Sequence, residues 1–239
     1  MGNLTASQVA GLTTTSITNL TGTQVGALNT TQISSLTAPQ IDALTSTEVQ
    51  ALTTTQANAL TATQIGGLQA ATFDNFSTTQ LGALSSTQAH ALSWTQLNNL
   101  STTSLDSLTI GNLASQQVAG LNSTAVTNLT ATQVGALSAA QVAVLTSAQL
   151  GVITTTEYSA LTTAQANALT STQVGSLSTT NFAALSSTTG IPALSASAIA
   201  GISTDDIAAL TTTQGNAFTQ TQVQAMSAAQ VNALLTLVG

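Results

Sequence analysis

The feature that most constrains this chain is a repeat of eight residues, which begins at Leu4 and continues almost to the end. The consensus is Leu-Thr-x-x-Gln-Val-x-Ala, and we number its positions from 1 to 8, starting with the leucine. Thirteen units lie between Leu4 and Ser107 and fifteen between Leu113 and Ala233, so the chain holds 28 units. Repeats at a fixed period each specify one small structural element, and such elements bury their apolar faces by stacking on their neighbours.

Each unit carries the start signal of a helix. Position 2 is Thr, Ser or Asn in 26 of the 28 units, and position 5 is Gln or Glu in 20. In this capping box the position-2 side chain accepts from the amide of position 5, and the position-5 side chain reaches back to the amide of position 2. Positions 1 and 6 are usually aliphatic and form the hydrophobic staple that accompanies such a cap.

Each helix must also end within its unit, because the next start signal follows at once. One continuous helix is excluded, since eight residues at about 100° each advance roughly 80° beyond two full turns and would wind the leucines around the axis. We therefore predict an all-α, elongated solenoid of very short capped helices, one per repeat, with a core of positions 1 and 6. We expect the small residue of position 8 to mark a close approach of backbones. The alternative is a β-solenoid, because Thr and Val favour strands.

A second repetition lies above the eight-residue period, at an offset of 109 residues. The uncommon Glu48 aligns with Glu157, and Phe73 aligns with Phe182. The sequence therefore predicts two tandem modules and a final segment of repeats with an apolar tail, which are residues 1–108, 109–217 and 218–239. The period is interrupted at residues 108–112 and at Gly190-Ile191-Pro192, where we expect kinks.

Composition excludes several classes of function. The chain has no Lys, no Arg and no Cys, and its net charge is −7. Nucleic-acid partners are excluded because nothing can neutralise phosphates, and disulfides and thiolate metal sites are excluded as well. We expect no membrane insertion, since no apolar run approaches the length of a bilayer span. The N-terminal residues show no charged region followed by an apolar one, so we expect no cleavable signal peptide.

We predict no enzyme activity, no catalytic residues and no cofactor-binding residues. The single histidine, His90, stands at position 7, which is variable and which we expect to be exposed. Catalysis by this residue would need a nucleophile and an orienting acid beside it.

Three aspartates are the candidate metal ligands. Asp42, Asp74 and Asp106 all occupy position 7 and follow one another at 32 residues. If four units formed one turn of the solenoid, the three carboxylates would stack as a ladder and could hold Ca²⁺. The alternative is that position 7 faces solvent and accepts any polar residue. The pair Asp205-Asp206 is a second candidate, and calcium is the only cofactor that the sequence leaves open.

Hydroxyl groups are the second candidate surface. Runs such as Thr13-Thr14-Thr15 could display a regular array that suits ice or a glycan. The alternative is that these hydroxyls cap helices and fill their first turns.

The repeats resemble those of bacterial secreted proteins, adhesin-like or surface-associated, that carry long runs of Leu-Thr-Thr-x-Gln-Val-x-Ala. Units such as the one from Leu52 to Ala59 look like theirs, and the likeness extends over nearly the whole chain. The resemblance implies an extracellular or cell-surface location and export by an uncleaved C-terminal signal of the type I kind, which the apolar tail Leu234 to Val238 resembles.

We therefore expect a structural protein of the bacterial cell surface or extracellular matrix that assembles with itself, end to end, into filaments or layers. Neither end of the repeat array looks capped in sequence, and the low charge removes the usual barrier to association. The alternative is an extracellular binding module, adhesin-like, for a surface glycan, ice or calcium.

Overall fold

The computed structural model describes residues 3–239, and this part of the chain contains 26 α-helices, three 3-10 segments and no β-strand. The prediction of one short helix per repeat is confirmed, and the β-solenoid alternative is wrong. Met1 and Gly2, which belong to the predicted first module, lie outside the described residues. The first helices are α1 (Ala6–Ala10), α2 (Thr14–Thr18), α3 (Gly22–Gly26), α4 (Thr30–Ser35), α5 (Ala38–Asp42), α6 (Ser46–Ala51), α7 (Thr54–Asn58), α8 (Ala62–Gly67), α9 (Ala70–Asp74), α10 (Thr78–Gly82), α11 (Ser86–His90), α12 (Trp94–Asn98) and α13 (Thr102–Ser107).

The remaining elements are η1 (Ile110–Asn112), α14 (Ser115–Ala119), α15 (Ser123–Thr127), α16 (Ala131–Gly135), α17 (Ala139–Val142), α18 (Ser147–Val152), α19 (Thr155–Ser159), α20 (Thr163–Ala168), α21 (Ser171–Gly175), α22 (Thr179–Ala183), η2 (Ile191–Ala193), η3 (Ala198–Gly201), α23 (Thr204–Ala208), α24 (Thr212–Gly215), α25 (Gln220–Ala225) and α26 (Ala228–Val238).

The capping box starts most of these helices, as the sequence predicts. In α7 the amide of Gln56 donates to Thr53 Oγ1 at 3.2 Å, and the amide of Thr53 donates to Gln56 Oε1 at 2.7 Å. The preceding helix ends at Leu52, whose backbone is extended (φ −63°, ψ 132°). One cap contributes about 1 kcal/mol, which is too little for a helix of five residues to be stable alone, so stability must come from packing between repeats.

The core consists of positions 1 and 6, which confirms the prediction. Val49 at position 6 is fully buried and Leu52 at position 1 is 4% exposed, and the same alternation recurs along the chain. Both side chains point towards the core. Position 6 lies in the second half of a helix and the next position 1 follows that helix in an extended conformation, so the two lie on the same side of the repeat.

Within each compact unit the helices form a coil in which each helix packs on the third one after it. Examples are α1 on α4 and α9 on α12 in the first unit, and α17 on α20 in the second. Hydrogen bonds between neighbouring turns join residues 28 apart, such as Gln56 and Leu28. One turn therefore takes three and a half repeats, and adjacent turns are offset by half a repeat.

Small residues at position 8 allow neighbouring turns to approach, as the sequence predicts. Gly201 is at position 8 and lies so close to the carbonyl oxygen of Ser171 that a Cβ there would collide with it. In the first unit, a Cβ on Gly66 would come within 2.6 Å of the carbonyl oxygen of Ala91, another position-8 residue.

The chain divides into two compact units, of which the first ends at Gln117 and the second spans Val118–Gly239. The final segment 218–239 is part of the second unit, because α26 packs on α23 and α24. The division falls beyond the predicted boundary at 108, since residues 108–112 act as a shortened repeat of the first unit. Ile110 is buried there, and Gln117 bonds to Leu92 across 25 residues instead of 28. The 109-residue duplication is a relation between sequences and stays a prediction.

Candidate functional site

The most distinctive feature of the fold is a ladder of glutamine carboxamides that links successive turns. While Gln56 Oε1 completes the cap of its own helix, Gln56 Nε2 donates to the carbonyl of Leu28 at 2.6 Å and to that of Gly26 at 3.0 Å. Gln80 Nε2 likewise donates to the carbonyls of Leu52 and Val49. The same position-5 bond to a position-1 carbonyl is made by Gln40, Gln64, Gln88, Gln96, Gln117, Gln149, Gln165, Gln173, Gln214, Gln222 and Gln230.

This second role of position 5 was missed by the sequence reasoning, although the sequence carries a signal for it. Among the 20 units with Gln or Glu at position 5, Glu48 and Glu157 are the two glutamates, which leaves 18 glutamines. Both residue types can complete a capping box, and a carboxylate is favoured by the helix dipole at an N-terminus. The strong preference for glutamine therefore indicates a need for a donor, which only the amide supplies.

Asp42 and Asp74 replace glutamine in two repeats where position 5 cannot cap. The unit of α9 has Thr72 at position 5, and the amide of Gln69 donates instead to Asp42 Oδ1 at 3.0 Å. The unit of α13 has Ser at position 5, and the amide of Ser101 donates to Asp74 Oδ1 at 3.0 Å. The 32-residue spacing of these aspartates thus follows from the spacing of two repeats that lack glutamine.

The predicted calcium ladder is not formed, because one turn takes 28 residues and not the 32 that its stacking requires. Over Asp42 lies the backbone of Gln69, and Asp106 is exposed. At the second candidate, Asp206 is buried and caps Ser203, while Asp205 is exposed. In residues 3–239 no group of three or more carboxylates or histidines is placed to hold a metal ion. Calcium binding itself stays a prediction.

The isolated side chains of His90, Tyr158 and Trp94 lie in different environments. His90 ends α11 and is exposed. Tyr158 occupies position 6 in the core and donates its hydroxyl to the carbonyl of Leu150 at 2.7 Å. Burial raises the pKa of Tyr158, and the neighbouring Glu157 carboxylate raises it further. Trp94 is 56% exposed, and its indole nitrogen donates to the carbonyl of Gln116.

The half-repeat offset also changes the expectation for the threonine array. Ser35 at position 8 donates its hydroxyl to the carbonyl of Ala6 at position 3, so position 8 of one turn lies over position 3 of the turn before. Like positions meet again only after two turns, and Thr13 itself is a helix cap. Threonines of adjacent turns therefore do not line up in a single file.

A groove in the second unit is lined by uncharged polar groups together with apolar atoms. It has a volume of about 690 Å³ and lies beside η2, which belongs to the repeat at residues 185–193; this repeat has nine residues instead of eight and contains no α-helix. Hydroxyl and amide groups line it together with apolar atoms, and its polar residues are Thr163, Asn167, Ser195, Thr219, Thr221 and Gln222.

The first turn of the coil has an exposed edge of unused ladder donors. Gln8 and Gln24 cap their own helices through Oε1, but both side chains are exposed, whereas the later position-5 glutamines are buried. Leu12 and Leu20 are half-buried, whereas later leucines at position 1 are buried. Within the described residues, no preceding turn supplies the carbonyls that Gln8 and Gln24 would bind.

Comparison with known proteins finds a match to one repeat family over part of the chain. The ALTTAQ repeat family model matches residues 23–54 and 142–179, one stretch in each compact unit. No curated protein matches the chain. In the described part of the chain, no helix combines the length and apolarity needed to cross a membrane.

Proposed function

We propose that this chain is a non-enzymatic structural repeat protein that assembles with itself end to end. The observation that carries the proposal is the edge of the first turn. It offers the carboxamides of Gln8 and Gln24 and the half-buried Leu12 and Leu20, the same groups that join turns inside the molecule. A second copy that presents its last turn to this edge would repeat the internal contact.

The chemistry of the edge suits association between like molecules. The contact joins unlike surfaces of two copies, and contacts of this kind extend into filaments unless they close into a ring. With no Lys or Arg and seven acidic residues in 239, the chain has little charge to oppose the approach of a second copy.

Light scattering and electron microscopy over a range of protein concentrations test this proposal. We expect concentration-dependent linear assemblies of the full chain. The double substitution Q8E/Q24E keeps both helix caps but replaces the donors with carboxylates, which carbonyl oxygens repel, and should abolish association. The control Q50E/Q116E adds the same charge at exposed positions and should still assemble. A full chain that stays monomeric at every concentration would contradict the proposal.

The proposed location is the bacterial cell surface or extracellular matrix, with export directed by the C-terminal segment. Support comes from the resemblance to secreted, adhesin-like repeat proteins and from the apolar residues 234–238, which form the end of α26. Fractionation of bacteria that express the full chain tests it, and recovery of the protein only from the cytosol would contradict it.

A binding module is the second candidate, favoured by the groove beside η2. Its uncharged hydroxyl and amide lining fits a neutral glycan better than an ion. A glycan that binds only the folded chain raises the melting temperature. The rise should be lost in T163V/T221V and kept in T155V, which lies outside the groove. Parallel melts with Ca²⁺ test calcium, and no shift with either ligand would remove this candidate.

A further inference from the structure

We propose that the end of α26 is a latch that covers an interaction surface on α23 and α24, and that the partner of this surface is the first turn of a second copy. The inference rests on the proposed self-assembly and specifies how that assembly is controlled. It depends on three features of the last repeats.

The first feature is the length of α26, which has 11 residues where α1 to α25 have four to six. A new repeat would begin at Leu234, and its capping position is occupied by Leu235. Leucine cannot accept a hydrogen bond from a backbone amide, so no new side-chain cap forms at this position. The helix continues to Val238. The apolar tail is therefore an extension of the last helix.

The second feature is a notch at Gly215. This glycine stands at position 6, where other repeats place an aliphatic or aromatic core residue. A Cβ at Gly215 would lie 2.7 Å from Val238 Cγ1, 2.8 Å from Leu237 Cδ2 and 3.4 Å from Leu234 Cδ1. These three side chains share one face of α26, while Leu235 is 60% exposed. The space that a position-6 side chain would fill is thus occupied by the tail.

The third feature is the register of the coil. Because each helix packs on the third one before it, a repeat that followed α26 would pack on α24, and the end of α26 lies there instead. In a further repeat that began at Leu234, position 5 would be residue 238, which is 28 residues after Leu210 and is Val238 in this chain. A glutamine at that place would be in register to donate to the carbonyl of Leu210. The groups that fit this surface once the latch leaves are position-5 carboxamides, which Gln8 and Gln24 of a second copy offer.

The test combines hydrogen exchange with light scattering on the full chain. G215V fills the notch with the side chain that the repeat consensus prefers, and L234D removes a buried anchor of the latch. L235E places a negative charge on the exposed face of the same helix and is the control, because glutamate is not among the residues that favour the capping position. We expect faster amide exchange at residues 235–238 in G215V and L234D, together with stronger association, and wild-type behaviour in L235E.

The outcomes separate the latch from the assembly. Unchanged exchange in G215V would show that the tail does not occupy the notch. Faster exchange without stronger association would show that the covered surface does not bind a second copy. If wild type and G215V assemble equally and Q8E/Q24E abolishes assembly in both, the proposed function stands and the latch is refuted. If Q8E/Q24E does not abolish association of G215V, the assigned partner is wrong.

Discussion

Glu48 occupies position 5 of its repeat and is buried, yet it can perform only half of the role of a glutamine there. Its Oε2 accepts from the amide of Thr45, but a carboxylate has no hydrogen to donate towards Leu20, the position-1 residue 28 before it. We predict that E48Q raises the unfolding free energy by about 1 kcal/mol, the net value of one hydrogen bond. Denaturant unfolding measures the change. D106N removes a charge at an exposed position, and a gain in E48Q no larger than in D106N would contradict the prediction.

Asp42 gives a second test of the capping role of position 5. It accepts from the amide of Gln69 in a repeat that has Thr72 at position 5 instead of glutamine. D42A should lower the unfolding free energy by about 1 kcal/mol, since the amide of Gln69 loses its acceptor. T72Q supplies an acceptor for the amide of Gln69 within its own repeat, so D42A should have little effect in the T72Q background. Equal losses from D42A in both backgrounds would show that Asp42 acts through other contacts.

From the burial of Tyr158 we predict that the folded state loses stability at alkaline pH. Burial, and then the Glu157 carboxylate, raise the pKa of this tyrosine, so the folded state favours the protonated phenol. Its contribution is full below the unfolded pKa, which is about 10, and is lost as the pH rises above that value. Tyr158 is the single tyrosine, so phenolate absorbance reports on it alone. We expect phenolate to appear only as the helical signal is lost. Ionisation near pH 10 in the folded chain would contradict this, and Y158F should show less alkaline destabilisation.

The elements themselves could be predicted from sequence because their signals are local. Caps and core positions lie within eight residues, and most of them were found where the pattern places them. The link between turns could not be predicted, since it joins residues 28 apart and depends on the number of repeats per turn. The aspartate ladder required four repeats per turn. The coil has three and a half repeats per turn, so the aspartates do not stack. The extension of α26 over Gly215 was also missed, although Gly215 and Leu235 both depart from the repeat consensus.

Close packing between elements gives a prediction of its own. G201A should lower the unfolding free energy by about 1–3 kcal/mol, because the new methyl group would collide with the carbonyl of Ser171 and force the turns apart. G151A is the matched control, since its Cβ meets nothing within 4 Å and Gly151 lies in α18. Alanine there should stabilise the helix by about 0.5–1 kcal/mol. A loss in G151A as large as in G201A would contradict the account.

In both compact units of the molecule, a coil of three and a half repeats per turn explains why so uncharged a chain can be ordered. Within each unit, successive turns are joined by aliphatic packing at positions 1 and 6 and by neutral hydrogen bonds from glutamine side chains to backbone carbonyls. The same arrangement leaves an edge at the first turn and places α26 over the surface of α23 and α24, and the proposed assembly follows from these two features.

The position-5 glutamine both caps its own helix and binds it to the preceding turn. The most direct test applies one substitution at two sites. Q64E and Q24E each keep the cap, but only Gln64 donates to carbonyls of a preceding turn, those of Ile33 and Leu36. In denaturant unfolding we predict that Q64E lowers the unfolding free energy by about 1–3 kcal/mol and that Q24E leaves it nearly unchanged. Equal effects at the two sites would contradict this dual role of the glutamine.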